Sequence, residues 1–568
     1  MRRLLPKLVL IGAVTIAPGA GAAGPADPLL KLVPPDAGLT MAVEGLRDRA
    51  GEVDAAAPVV GLRKLPAFRA WIASERFRKL ERSARDVEAA LGVSMGAIRD
   101  ELLGDAFVLA LRPGPADRPD QARGLLLARP RDRALLDRLI VRLDEVQKRA
   151  GELAGLSRRS HGPIEYTARE FEQAGRPAEF HVTLADGTFA WSNSEEILRG
   201  VIDRKRSGGP GLGDNPAFAR VRRGLPEGAL ASLFVDPRLV ERSMAASPPK
   251  PGEERVAAML GRYLGAVGYA GVALEYRDGF VLHGHEAIDP ARLDPWLRRW
   301  LAGPASPVDL AGRVPASAIA VVSARLDFEA IRDALGDLVA EADRPALANL
   351  DLAFRGLLLG RDPAREVLPR LGPGAIAYVE GGPRFPVVGV LDLADRPGAE
   401  GPASALDNAL RTALALHALD PKRRPAHLRV ETTAAGESRT TALTDGQRTR
   451  FACRIDRHRL VAGNDPGAVA RSGSGPPDPA LADLRARHFP GAETFAVVDL
   501  GRLAGEIRTY RGPIARHLAS RSGRAVAAVD RDLGQILALA DLFRAVTFTS
   551  VASGDASEVH RTLGLIAR

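Results

Sequence analysis

The densest run of side chains able to do chemistry is "LHGHE" at residues 282–286. His283 and His285 stand two apart, so in a strand their imidazoles share one face and could both reach a metal ion, while Glu286 points the other way. A zinc site needs a third protein ligand, and the neighbouring sequence offers none. The pair is therefore read as strand histidines facing solvent. Trp296 and Trp300 lie one helical turn apart in "LDPWLRRWLAG", with Arg292, Arg298 and Arg299 around them. A helix of that kind can rest on anionic lipid. Asp294 followed by Pro295 is also the cap and first turn of an ordinary helix, so we expect both rings to dock into a core.

Cys453 is the only cysteine, which leaves no intrachain disulfide. Its place in "RTRFACRIDRHRLVAG" is a strand, where a thiol without an activating partner acts as a small buried hydrophobe. "GGPGLG" at 208–213 lacks both the Lys-Ser/Thr pair and the preceding strand of a phosphate loop. There is no HExxH, calcium-loop, GxSxG or kinase pattern. Carboxylates are many, but no acid–base pair stands out, so the catalytic residues are unknown and whether the chain is an enzyme stays open. No cofactor and no metal are expected.

The elements that would position any site announce themselves by repetition. "VPPDAGLTMAVE" at 33–44, "LPEGALASLFVD" at 225–236, "VPASAIAVVSAR" at 314–325 and "FPGAETFAVVDL" at 489–500 each place Pro, a short step and then a β-like run. Pro34 pairs with Pro315, Ala106 with Ala375, Asn193 with Asn464 and Pro226 with Pro490, in the same order and at nearly one spacing. This predicts an α+β chain of two similar halves, each a mostly antiparallel sheet with packed helices. Asp236, Asp327, Ser194 and Asp465 read as helix caps. Leu135, Leu136, Leu139, Ile140, Leu143 and Val146 form one apolar helical stripe. Asp278-Gly279 and Gly554-Asp555 mark hairpin tips, and 204–216 and 470–480 read as linkers.

Residues 1–23 carry a basic head, an apolar run from Leu8 to Ala17 and a small-residue Ala20-Gly21-Ala22 step. The run is too short to span a bilayer and fits a cleavable signal peptide. The expected organisation is thus 1–23 signal peptide, 24–305 first half and 306–568 second half, with the boundary near 302–313, in a periplasmic or secreted protein. A net charge of +9 comes from 79 basic residues, only eight of them Lys, against 70 acidic ones. The signs are interspersed and aromatics make up 5%, which argues against nucleic acid and glycan partners.

The leader, the Pro turns and the long α+β body resemble an uncharacterised family of large exported bacterial proteins, described only as a domain of unknown function. The resemblance implies no activity and no site residue. The functional expectation is a noncatalytic binding or scaffold protein taking a protein, peptide or acyl ligand. An envelope-associated hydrolase with an unrecognised site and a lipid carrier are the alternatives. Membrane-surface contact is open but not favoured.

Overall fold

The repeated Pro turns set the centre of the sheets. In the computed structural model, the carbonyls of Pro34, Pro226 and Pro315 accept from the amides of Ala37, Ala229 and Ala318 at 3.2, 3.4 and 3.0 Å. Each turn delivers the chain into a strand. The structure describes residues 24–568 except 116–117, 119–120, 246–248, 251, 304–312, 340, 394–399, 420–427, 436–437, 446–447, 457, 474–478, 480, 482 and 485–491. The expected leader, the turn at Pro490, most of the boundary at 302–313 and half of the linker at 470–480 lie outside the described residues.

The chain is α+β and divides into two compact bodies. The first comprises the described residues up to 250, 260–292 and 564–568. Its strands are β1 (Leu39–Glu44), β2 (Ala106–Arg112), β3 (Arg123–Ala128), β4 (Leu153–His161), β5 (Ile164–Phe171), β6 (Glu179–Thr183), β7 (Phe189–Ser192), β8 (Ala231–Val235), β9 (Val267–Tyr276) and β10 (Gly279–Ile288). They pair antiparallel in the order β4-β5-β6-β7-β3-β2-β1-β8-β9-β10. The two strands entered from Pro34 and Pro226 are therefore neighbours, with Met41 opposite Leu233.

The helices of this body are α1 (Asp27–Leu30), α2 (Leu46–Ala55), α3 (Ala57–Lys64), α4 (Pro66–Ile72), α5 (Glu75–Leu91), α6 (Met95–Ala97), α7 (Arg133–Arg149), α8 (Glu195–Ser207), α9 (Pro216–Gly224) and α10 (Pro237–Ala245). One sheet face carries Val108, Leu127, Phe234 and Tyr269, which pack with Leu198, Val201 and Ile202 of α8 and with Phe218 and Val221 of α9. On the other face the predicted stripe of α7 packs Leu135, Leu136, Leu139 and Ile140 with Leu126, Phe189 and Trp191. The expected linker at 204–216 is shorter than its composition suggests. Arg204–Ser207 complete α8, which stops at Gly208 in the left-handed region (φ 70°), where glycine carries no Cβ penalty.

The second body comprises 252–259 and the described residues of 293–563. Helix α11 (Glu254–Ala266) begins in it, and α12 (Pro295–Ala302), α13 (Phe328–Leu338), α14 (Arg344–Leu357), α15 (Glu400–Leu419) and α16 (Pro466–Arg471) follow, with three further helices over residues 500–540. Its strands are β11 (Ala318–Arg325), β12 (Leu371–Glu380), β13 (Val387–Leu393), β14 (Arg429–Ala435), β15 (Ser438–Thr444), β16 (Thr449–Ile455), β17 (Arg459–Gly463), β18 (Thr494–Asp499), β19 (Phe543–Ala552) and β20 (Glu558–Ala567), the last as far as Leu563. They pair in the order β14-β15-β16-β17-β13-β12-β11-β18-β19-β20. Raising each strand number of the first body by ten reproduces this order. Val321, Ile376, Val390, Val461, Phe495 and Val469 are among its core residues.

The polar landmarks act on the backbone. Asn193, after β7, accepts from Gly124 N at 2.7 Å and donates to Ala122 O at 3.1 Å, closing the start of β3. Asn464, after β17, accepts from Val387 N at 2.8 Å, where β13 begins. Ser194 accepts from Ile197 N, Asp465 from Ala468 N and Asp327 from Ala330 N at the starts of α8, α16 and α13. Asp236 accepts from Arg238 N at 3.0 Å as α10 begins.

Candidate apolar binding groove

The strands β7, β3, β2, β1 and β8 of the first body's sheet are largely apolar on both faces, and helices cover only part of the second face. Cross-strand register carries one row of side chains from Val272 through Leu233, Met41, Leu109 and Leu126 to Trp191 and His181. Helix α7 covers the Leu126 and Trp191 end. Where it stops, a groove of about 460 Å³ opens over Leu39, Met41, Leu109, Leu111, Leu126, Trp191 and Leu233. Leu109 remains 41% exposed and Leu233 38%. Sites that hold small molecules commonly span about 300–1,000 Å³ and are lined mainly by apolar side chains.

The polar groups at the rim are already engaged. Ser192 donates to Gly124 O at 2.7 Å, Asn193 closes β3 as described, and Glu179 pairs with Arg169 and, at 3.6 Å, with Arg176. Strands β8, β1, β2, β3 and β7 are each paired on both sides. The groove floor therefore offers side chains but no open backbone edge. An extended peptide adds to a sheet through such an edge; this surface suits an occupant that asks for few hydrogen bonds.

Beneath the Trp191 end lies a buried polar network. Arg169 is 1% exposed, donates from Nε to Asp144 at 2.8 Å, and bonds Glu179 and Gln147 with its terminal nitrogens. Its guanidinium carbon sits 4.7 Å from the Trp191 ring centre. The Trp191 ring is thus backed by a guanidinium that cannot move freely, because leaving Arg169 without its partners would strand a buried charge. His181 stacks on Trp191 with centroids 5.3 Å apart and planes 26° apart. Burial holds its imidazole down at about 4, with the Arg169 charge assisting and Asp144 opposing. Its Nε2 is buried without a hydrogen-bond partner among the described residues.

A larger and more enclosed cleft of about 640 Å³, also in the first body, is lined by Lys31, Arg204, Lys205, Arg222 and Arg223 with Asp27 and Asp214. Much of its charge is spent locally. Arg222 bonds Asp27 and Glu44, each at 2.9 Å, Lys205 pairs with Asp186, and Arg204 Nε donates to Leu32 O at 3.0 Å. We read it as a joint that ties α1, α8 and α9 together.

The residues singled out from sequence sit elsewhere. His283 and His285 share a strand face as expected, but they do not face solvent: they are 6% and 1% exposed. Helix α9 covers that end of β10, and the His285 ring abuts Gly224 so closely that a Cβ there would overlap it. His283 Nε2 lies 3.0 Å from Glu275 Oε2, and this bond holds the Glu275 carboxyl below its ordinary range against the opposing effect of burial. Glu286 is buried too and accepts from Tyr263 OH. Trp296 and Trp300 are half-buried and not core residues. Trp296 Nε1 donates to Asp337 at 3.1 Å, and Arg299 bonds Asp327 and Asp333 on α13 at 3.2 and 3.0 Å. Cys453 is buried in β16, where burial pushes its thiol up to about 11, far from a reactive thiolate.

Sequence reasoning missed the groove. The signal was present in "LTMAVE", "FVLAL" and "ASLFV", which put apolar residues at successive positions and so on both faces of one sheet. No family model, curated protein or solved structure matches the chain.

Proposed function

We propose that the chain is a noncatalytic, extracytoplasmic binding protein whose first body seats an acyl chain in the sheet groove. The observation that carries this reading is the groove's composition: exposed Leu109 and Leu233 beside Met41, Leu126 and Trp191, over strands without a free edge and below rim groups that are already bonded. The shared strand order of the two bodies supports an ancestral doubling, from which the first body took a ligand surface while both kept the Pro turns. The basic head and short apolar run of residues 1–23 support the exported part of this reading.

The test is a titration of the full chain with a fluorescent long-chain fatty acid. We expect saturable binding in the wild type. Leu109→Asp/Leu233→Asp places two carboxylates on the groove floor without touching a buried side chain, and it should weaken binding about a hundredfold, since each swap removes an apolar contact worth about 1–2 kcal/mol and adds a charge to desolvate. Absent saturable binding, or equal affinity in the double variant, sinks the proposal.

A further inference from the structure

Residues 46–91 form four consecutive helices that make no core of their own. None of the side chains of α2, α4 and α5 is buried, and in α3 only Pro58 is. Local chemistry explains why they are helical: Pro66 occupies the first position of α4, Ser74 accepts from Phe77 N at 3.3 Å to cap α5, and Gly92 ends α5 in the left-handed region (φ 67°). The arm is held to α7 through Arg142 Nε, which donates to Ala90 O at 3.0 Å.

An amphipathic helix draws most of its stability from what covers its apolar face. Here that face is left to itself. Phe68, Trp71 and Phe77 cluster with ring centroids 5.5 and 4.8 Å apart. Trp71 is nevertheless 50% exposed and Leu80 65%, with Ile72 and Val87 also exposed. At 100° per residue, Phe77, Leu80, Ala84 and Val87 of α5 fall on one arc, and Arg78, Lys79, Arg82 and Arg85 on the opposite one. Over residues 57–91 the arm carries eight basic and four acidic side chains.

We propose that this arm, with Trp71 and Leu80 leading, docks on an anionic lipid surface. An aromatic and aliphatic patch on a helix whose polar face is rich in Arg and Lys is the pattern of an interfacial helix, and basic residues near such a surface are drawn to anionic headgroups. A second copy fits less well, because it would set one net-positive patch against another. The inference is independent of the acyl groove; it uses none of the residues that line it.

The experiment reports on the arm itself. Ala73→Cys, between α4 and α5, takes an environment-sensitive fluorophore, while the buried Cys453 is protected from labelling. We expect a blue shift on vesicles of phosphatidylglycerol and phosphatidylcholine, a much weaker one on phosphatidylcholine alone, and weakening as salt rises from 0.1 to 0.5 M, where screening lengths fall to about 4 Å. In the Trp71→Asp/Leu80→Asp background the shift should need about tenfold more lipid or more. Trp71→Ala/Leu80→Ala, with matching circular dichroism, guards against a folding artefact. The proposal is overturned by no shift in the labelled parent, by an equal shift in the double variants, or by concentration-dependent self-association that the double variants abolish without any lipid response.

Discussion

Acidification should destabilise the fold through His181, the ring stacked on Trp191. Burial favours the neutral imidazole, so the folded chain binds a proton there only near pH 4, whereas the unfolded chain does so near 6.5. Between these values the unfolded state carries more protons, and stability rises with pH. Above pH 6.5 the residue costs nothing; the loss accumulates as pH falls from 6.5 to 4. At about 1.4 kcal/mol per pH unit, the full loss is about 3 kcal/mol. The groups facing the ring are Arg169, which repels the imidazolium, and Asp144 and Asp137, which attract it. Urea unfolding of the wild type and of His181→Leu, followed by fluorescence at steps from pH 7 to pH 4, isolates this contribution. The carboxylates elsewhere act in both proteins, and the packing lost with the ring does not depend on pH. The gap between the two proteins should move in favour of the variant by about 3 kcal/mol over that range. Parallel pH profiles, or a wild type that loses less than the variant, refute the reasoning.

Two further substitutions probe the architecture. Asn193→Ala strands Gly124 N and Ala122 O at the start of β3 and should cost about 1–3 kcal/mol in denaturant unfolding; Asn464→Ala, whose amide partner Val387 N sits at an exposed residue, should cost less, and equal losses would contradict the account. Glu493 stands three residues after Pro490, where the other turns have a buried alanine, and burial raises its carboxyl pKa against the pull of Arg325. Because the folded state holds that proton more tightly, its penalty is present at neutral pH and fades as the carboxyl protonates. Glu493→Gln should therefore raise thermal stability at pH 7 and gain little near pH 4; an unchanged melting temperature at pH 7 would contradict this.

The strands and their turns were readable because their signals are local. A Pro turn, an Asp-Gly tip or an Asp before a helix fixes a backbone within a few residues, and Asp278, Asp327 and Asp465 lie where such rules place them. Burial depends on what arrives from far along the chain. The two histidines of "LHGHE" read locally as solvent-facing, yet α9, some sixty residues earlier, covers His285 through Gly224. Nothing local in "YTAREF" marks Arg169 as buried; only the fold brings Asp144 and Gln147 of α7 and Glu179 of β6 around it. The groove fell between these cases: its residues were visibly apolar, but continuous apolar strands are more often covered on both faces.

The most direct test of the central claim is covalent. A fatty acid carrying a diazirine in its chain, photolysed with the full-length protein and mapped by peptide mass spectrometry, should label residues of β1, β2, β3, β7 and β8 around Met41, Leu109, Leu126, Trp191 and Leu233. An excess of unlabelled fatty acid should suppress that labelling. Adducts scattered over the chain, or concentrated away from these strands, would contradict the assignment of the groove as the ligand site.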